Sequence, residues 1–221
     1  MISIAIDGPS GAGKSTIAKA ISKKLGFIYV DTGALYRSIG LFVLNQGKDT
    51  ANREEVASLL SQIDVKIRYI DGTQHVYLND EDVSDAIRKP PVSMAASNVS
   101  AHPEVRAFLL DLQRKFARES DVIMDGRDIG TVVLPNADIK IFLTATAEER
   151  ANRRYKELIE KGEDVNYDNI LAEIKQRDYN DSHREIAPLK QADDAVLADT
   201  TDCNIEEAIE KLLDIIRPRI K

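Results

Sequence analysis

Short apolar runs alternate with amphipathic stretches along most of this chain. The runs at 3–6, 28–30, 122–124, 139–143 and 195–197 are brief and mostly apolar, the composition of strands covered on both faces. Between them, 3.6-residue periodicity predicts helices over 14–25, 33–46, 103–119, 148–161, 168–183 and 205–216. The last carries Ile205, Ala208, Ile209, Leu212, Leu213 and Ile216 on one stripe and reads as a docked C-terminal helix. Strand and helix patterns in alternation predict an α/β fold built on a parallel sheet. One stretch departs from this. Over 65–83, Val65, Ile67 and Tyr69 alternate with polar neighbours, Asp71-Gly72 marks a turn, and Val76-Tyr77-Leu78 and Val83 follow. That period-2 pattern predicts a small antiparallel hairpin or three-stranded sheet set into the α/β core, structural in role or a cover over a substrate. No internal repeat or low-complexity segment interrupts the rest.

Composition narrows the classes. The 221 residues suit one medium-sized domain with a small insertion. A net charge of −7 argues against nucleic acid or an anionic membrane surface as the main partner, so anionic ligands would be held by locally gathered cations. The single Cys203 excludes an intrachain disulfide and suits a reducing cytoplasm. Neither a signal-peptide pattern at Met1-Ile2-Ser3-Ile4 nor any run near the ~20 apolar residues of a membrane helix is present, so the expectation is a soluble cytoplasmic protein.

The densest chemical signal lies just after the first strand. Gly8-Pro9-Ser10-Gly11-Ala12-Gly13-Lys14-Ser15 fills every fixed position of the G-x-x-x-x-G-K-[ST] loop, and Thr16 follows at the start of a helix. A strand that delivers such a loop and a helix that starts behind it make backbone N–H groups converge on phosphate oxygens. Lys14 can reach the β- and γ-phosphates, and the Ser15 hydroxyl can ligate Mg²⁺. Asp125 closes the apolar run 122–124 and is a candidate carboxylate for that ion, directly or through water. These residues predict binding of a nucleoside triphosphate with magnesium.

A second anion site is suggested by arginines at strand ends. Asp31-Thr32-Gly33-Ala34-Leu35-Tyr36-Arg37 follows the second strand; Asp31 or Thr32 can cap the next helix and place Tyr36 and Arg37 in its first turn, near the sheet edge where ligands bind in open α/β folds. Asp125-Gly126-Arg127-Asp128 follows the third strand in the same way. Arg177, Asp181 and Arg184 are spaced i, i+4, i+7 on one helix face, and Arg150, Arg153 and Arg154 gather on the preceding helix. Each set alone reads as a solvated charged face; beside a triphosphate site they read as clamps for two phosphate groups meeting end to end. No Asn-Lys-x-Asp guanine-reading segment occurs. A kinase for a small metabolite such as shikimate or gluconate, and a nucleotide-dependent switch, are the rival readings.

Four segments together resemble the bacterial cytidylate kinases: Gly-Pro-Ser-Gly-Ala-Gly-Lys, Asp-Thr-Gly-Ala-Leu-Tyr-Arg, Asp-Gly-Arg-Asp-Ile-Gly-Thr and Lys-Gln-Arg-Asp, with similarity from Ile2 to beyond Thr200. The resemblance implies a P-loop three-layer fold with a central parallel five-stranded sheet, a small antiparallel β insert and a helical lid. It implies one kinase domain over 1–221, with a monophosphate-binding region near 33–100 that contains the insert at 64–84, and a lid near 153–174 whose tip lies about Glu160-Lys161-Gly162-Glu163-Asp164. The implied activity is transfer of the γ-phosphate of ATP to CMP or dCMP by a monomer with Mg²⁺, with another monophosphate or small metabolite as the alternative acceptor.

The resemblance also implies residue roles. Lys14, Arg37, Arg127, Arg153 and Arg184 would be catalytic. Gly8 through Thr16, with Arg153 and Arg154, would hold ATP. Thr32, Tyr36, Arg37, Ser97, Arg106, Arg127, Asp128, Arg177, Asp181 and Arg184 would hold CMP: Arg37, Arg127 and Arg184 on its phosphate, Ser97, Arg106 and Asp128 on cytosine, Arg177 and Asp181 on the pentose. Ser15 stands where some monophosphate kinases have Gly in a Gly-Lys-Gly-Thr form, which leaves Ser15 or Thr16 as the magnesium hydroxyl, and Thr32 stands where Ser is also common. His75, His102 and His183 are expected to be structural or solvent-facing.

Overall fold

The structure is a computed structural model that describes residues 1–220. It divides into two compact units, Met1–Tyr29 with residues 119–220, and Val30–Arg118.

Parallel strands organise the first unit. Its elements are β1 (Ser3–Asp7), α1 (Lys14–Leu25), β2 (Ile28–Asp31, whose last two residues begin the second unit), β6 (Val122–Gly126), β7 (Ile139–Thr144), α6 (Ala147–Glu160), α7 (Tyr167–His183), β8 (Val196–Asp199) and α8 (Ile205–Ile216). The five strands form one sheet in the order β2-β6-β1-β7-β8. β1 runs parallel to β6 with Ile4 beside Ile123 and Ile6 beside Asp125, and parallel to β7 with Ile4 beside Ile139 and Ile6 beside Ile141. β7 is in turn parallel to β8. The pleat decides what each face carries. Ile4, Ile6, Ile123, Ile139, Ile141 and Leu143 point into one apolar cluster with Ile17, Ala18 and Ile21 of α1 and Ala208, Leu212, Leu213 and Ile216 of α8. The expected C-terminal stripe is therefore docked, and Asn204 starts its helix through a reciprocal capping box with Glu207. Asp7, Gly126 and Lys140 stand on the opposite parity of the same strands.

The second unit contains α2 (Thr32–Asn45), α3 (Arg53–Leu59), β3 (Val65–Ile70), β4 (Thr73–Leu78), β5 (Glu81–Asp82), α4 (Pro90–Val99) and α5 (Pro103–Glu119, whose last residue belongs to the first unit). β3, β4 and β5 make the antiparallel insert, a three-stranded sheet rather than a lone hairpin, with Ile67 beside Val76. Its inward residues Val65, Val76 and Leu78 join Leu35, Ile39, Val43, Val92, Val105 and Leu109 in the core of this unit.

Sequence expectation and structure differ mainly in the following places. The helix expected over 33–46 starts one residue earlier, because the Asp31 carboxylate accepts from the Ala34 N–H at 2.9 Å and caps it; Tyr36 and Arg37 consequently fall in its second turn, not its first. α3 and α4 occupy stretches for which periodicity gives no helix. α3 is only seven residues long, and α4 opens on Pro90-Pro91, residues tolerated only in a first helical turn, and is rich in small residues. Finally, residues Ile129–Val133 form a π-type turn, with the Asp128 carbonyl accepting from Val132 N–H at 2.8 Å and Val133 N–H at 3.1 Å.

Candidate functional site

The loop between β1 and α1 is shaped by what glycine alone allows. At Gly8 (φ +152°) a Cβ would stand 1.9 Å from the Leu143 carbonyl oxygen, and Gly13 takes a left-handed conformation as the residue before α1. α1 then begins at Lys14, so its unpaired N–H groups open on the loop. Lys14 is buried, and its ammonium donates to the Pro9 carbonyl at 2.7 Å. Burial pushes its pKa well below the usual lysine range, Arg127 pushes the same way, and Asp125 and Asp181 oppose them. Ser15 is half-buried and Thr16 exposed, each with its hydroxyl in the first turn of the helix.

Asp125 is the penultimate residue of β6, on the parity of Ile123, the face that α1 covers, and accepts the Tyr29 hydroxyl at 2.9 Å. A carboxylate there and a hydroxyl at the start of α1 are both hard oxygen donors, the chemistry that Mg²⁺ takes. The residues present fit that ion.

Beyond Asp125 the chain supplies paired charges. Arg127 Nε donates to Asp181 Oδ2 on α7 at 2.8 Å, and its Nη1 donates to the Gly126 carbonyl. Arg184 Nη2 lies 3.4 Å from Asp128 Oδ1, and Arg184 Nε donates to the Ala187 carbonyl at 2.7 Å. Burial raises the Asp181 pKa, but Arg127 and Arg177 outweigh it and the carboxyl lies below its ordinary value. The helical spacing that joined Arg177, Asp181 and Arg184 holds only for the first two. α7 ends at His183, and Arg184 leaves it in an extended conformation, yet its guanidinium still reaches Asp128.

The arginines of α6 part company in the same way. Arg150 is buried and donates to the carbonyls of Ala145 and of Ser10 in the glycine loop, while both its terminal nitrogens meet the Asp178 carboxylate. Arg153 donates to Glu149 and to the Thr200 carbonyl, and Arg154 to Glu157 one turn on. They do not form one cluster. Arg150 thus ties the loop to α7, and of the residues that sequence reasoning did not single out, Tyr29 holds Asp125 and Asp7 accepts two backbone N–H groups of the turn after Asp128.

In the second unit, Arg37 Nη2 donates to Asp31 Oδ2 at 2.7 Å and Arg88, also unforeseen, donates to the same oxygen at 3.1 Å. Arg37 Nε is buried without a hydrogen-bond partner among the described residues. Thr32 is the buried first residue of α2. Arg106 of α5 donates to the Ser100 carbonyl and lies 5.7 Å from the centre of the Tyr36 ring, and the Ser100 hydroxyl donates to the carbonyl of Ser97. The structure thus groups Tyr36, Ser97 and Arg106 within this unit, and Arg127, Asp128, Asp181 and Arg184 within the other. His102 is buried and bonded to the Thr50 carbonyl, whereas His75 pairs with Asp82 in the insert and His183 stacks on Tyr179.

Comparison with known proteins identifies the family. The model of the cytidylate kinase family matches residues 4–218. A cytidylate kinase of Caldicellulosiruptor bescii is 53% identical over 220 residues, 100% of this chain and 97% of the relative. Those of Caldicellulosiruptor saccharolyticus and Bacillus cereus are 55% and 47% identical, over 97% of this chain in each case and 95% and 96% of their own. Among solved structures, an uncharacterized protein from Eubacterium ventriosum is similar in fold, with a TM-score of 0.56 at 14% identity, covering 99% of this chain and 100% of that one. A glycine loop delivered by a parallel strand, a buried lysine at its end and near-complete alignment with these relatives lead to one conclusion: the chain belongs to the cytidylate kinase family.

Proposed function

We propose that this chain transfers the γ-phosphate of ATP to CMP or dCMP, giving ADP and CDP or dCDP, through the residues of the glycine loop and the paired arginines described above. The observation that carries the reading is Lys14, a buried cation whose surroundings disfavour its charge, at the mouth of a loop of backbone N–H groups. A polyphosphate relieves that penalty, so binding energy and charge neutralisation come from the same contact. The residues from Gly8 to Thr16 hold ATP, and Arg153 and Arg154 belong to a lid near 153–174 that closes over it.

In the transfer, an oxygen of the acceptor phosphate forms a bond to the γ-phosphorus as the bond from that phosphorus to the β,γ-bridging oxygen breaks. The second pKa of a phosphate monoester is about 6, so this oxygen is already largely anionic at neutral pH and needs no strong base. The chain's work is to align two anions, exclude water and neutralise charge. Arg37, Arg127 and Arg184 take the acceptor phosphate, and the buried unpartnered Nε of Arg37 supports that assignment. Arg177 and Asp181 take the pentose; Thr32 and Tyr36 line the acceptor side. Asp128, with Ser97 and Arg106, reads cytosine: a carboxylate accepts from the exocyclic amine, and a guanidinium donates to the ring acceptors. Ser15 and Asp125 hold Mg²⁺, Asp125 directly or through water, and the ion supplies charge neutralisation across the phosphate oxygens.

A monomer acting in the cytoplasm on small nucleotides completes the reading; among the described residues no helix is long and apolar enough to cross a membrane. The test is to incubate the protein with ATP, Mg²⁺ and each of the four common ribonucleoside monophosphates and to quantify the diphosphates formed. CDP is expected to dominate. Equal yields from all four, or none from CMP, would refute the proposal.

A further inference from the structure

Asp7 is the last residue of β1 and immediately precedes the glycine loop, yet its side chain does not serve that loop. Strand alternation turns it to the face opposite Ile4 and Ile6, away from α1. There its two carboxylate oxygens divide between two consecutive amides: Oδ1 accepts from Ile129 N–H and Oδ2 from Gly130 N–H, each at 2.7 Å. These amides follow Asp128 directly and open the π-type turn Ile129–Val133. Two successive N–H groups converging on one carboxylate make an anion nest filled by the chain itself.

The approach is tight enough to constrain the sequence on both sides. A Cβ at Gly130 would stand 3.3 Å from Asp7 Oδ2 and 3.1 Å from Lys140 Cδ. Lys140, on the same sheet face, donates to the Pro135 carbonyl at 2.6 Å and pairs with Asp194, so it anchors the far side of this segment. Burying the carboxylate is costly: desolvation lifts its pKa to about 6 despite the two amides, with Asp128 adding to the rise and Lys14 opposing it. A phosphate-binding loop has no need of an acid at this position.

We infer that Asp7 is a positioning residue for acceptor recognition: by clamping the Ile129 and Gly130 amides it fixes the carboxylate of Asp128 and the guanidinium of Arg127 where the incoming nucleotide is read. This inference rests on the proposed role of Asp128 toward cytosine. Its consequence is asymmetric, since a residue that opens the ATP loop is expected to matter to the other substrate.

The experiment compares wild type with Asp7→Asn, a change of nearly the same shape in which one accepting oxygen becomes an NH₂ facing an N–H. Steady-state kinetics with CMP and with UMP, and with ATP varied at saturating CMP, are read together. The expected result is a rise of about tenfold in KM for CMP, a fall of similar size in the CMP-over-UMP ratio of kcat/KM, and an ATP KM within about twofold of wild type, as displacement of recognition groups by a fraction of an ångström to 1 Å would give. An unchanged KM for CMP, or an ATP KM that rises by the same factor, overturns the inference. Should Asp7→Asn not fold, Gly130→Ala, whose added methyl pushes on the same carboxylate, is judged by the same criteria. If neither variant folds, the clamp is a stability element only and the inference falls. Asp128→Ala separates the two levels: if it leaves the CMP-over-UMP ratio intact, the base-reading assignment fails, and the split between the KM for CMP and the KM for ATP still decides the role of Asp7.

Discussion

At the scale of single residues, the cations proposed to handle phosphate are each already held by a carboxylate or carbonyl: Arg127 by Asp181, Arg184 by Asp128 and Ala187, Arg37 by Asp31. Such pairing keeps planar, fork-shaped donors in one orientation without a ligand, which lowers the ordering cost when one arrives. Asp128 has a double part in this scheme, because it meets Arg184 and is also the residue proposed to read the base. Cytosine offers an amine donor where uracil offers a carbonyl, so UMP would set two acceptors against each other at a residue with only 4% of its surface exposed. For Asp128→Ala the kcat/KM for CMP is expected to fall roughly ten- to a hundredfold more than that for UMP, the equivalent of about 1.4–3 kcal/mol. Loss of the Arg184 partner would slow both substrates alike, so the ratio of the two is the measurement that isolates base reading. An unaltered ratio would remove Asp128 from that role.

At the scale of elements, legibility followed locality. The glycine loop could be read because its chemistry is contained in eight consecutive residues bracketed by a strand and a helix, and the five strands because each is a compact apolar run. α8 was legible from its stripe alone, and Asn204 with Glu207 marks its start. The contacts that escaped join distant positions: Asp7 to Ile129 and Gly130 across more than 120 residues, Arg150 to Ser10 across 140. No periodicity encodes such pairs. The turn after Asp128 was hidden because a single π-type turn leaves no repeating pattern, and the helix face expected to join Arg184 to Asp181 does not reach Arg184, since the helix ends at His183. The capping box gives this scale its own prediction. Asn204→Ala removes the acceptor for the Glu207 N–H and is expected to cost about 1 kcal/mol. In a chain of this size that lowers Tm by roughly 2–4 °C. Because α8 packs on the sheet through Ala208, Leu212, Leu213 and Ile216 and carries none of the proposed substrate residues, kcat and both KM values should stay at wild type. A fall in kcat at temperatures where the variant is fully folded would show that α8 shapes the site.

At the scale of the whole molecule, a net charge of −7 stands against two polyanionic substrates. The general field repels them, so affinity has to come from short-range contacts with fixed cations rather than from electrostatic steering. A ligand held in that way stabilises the folded chain in proportion to its occupancy, whether or not chemistry follows. CMP alone, at about 100 times its dissociation constant, should stabilise the protein by about 2.7 kcal/mol, visible as a raised Tm without ATP present. UMP at the same concentration should protect less, by the same free-energy difference that separates the two in catalysis if base reading acts on binding. Shikimate and gluconate, the acceptors of the rival metabolite-kinase reading, should give no protection, whereas a nucleotide switch without an acceptor site would respond to ATP and ignore CMP. Protection by CMP that disappears in Asp128→Ala while protection by ATP persists would locate the effect in acceptor recognition. Equal protection by CMP and UMP would mean that selectivity arises after binding, in the alignment of the two phosphates, and would shift the burden of specificity from Asp128 to the arginines that hold the acceptor in line.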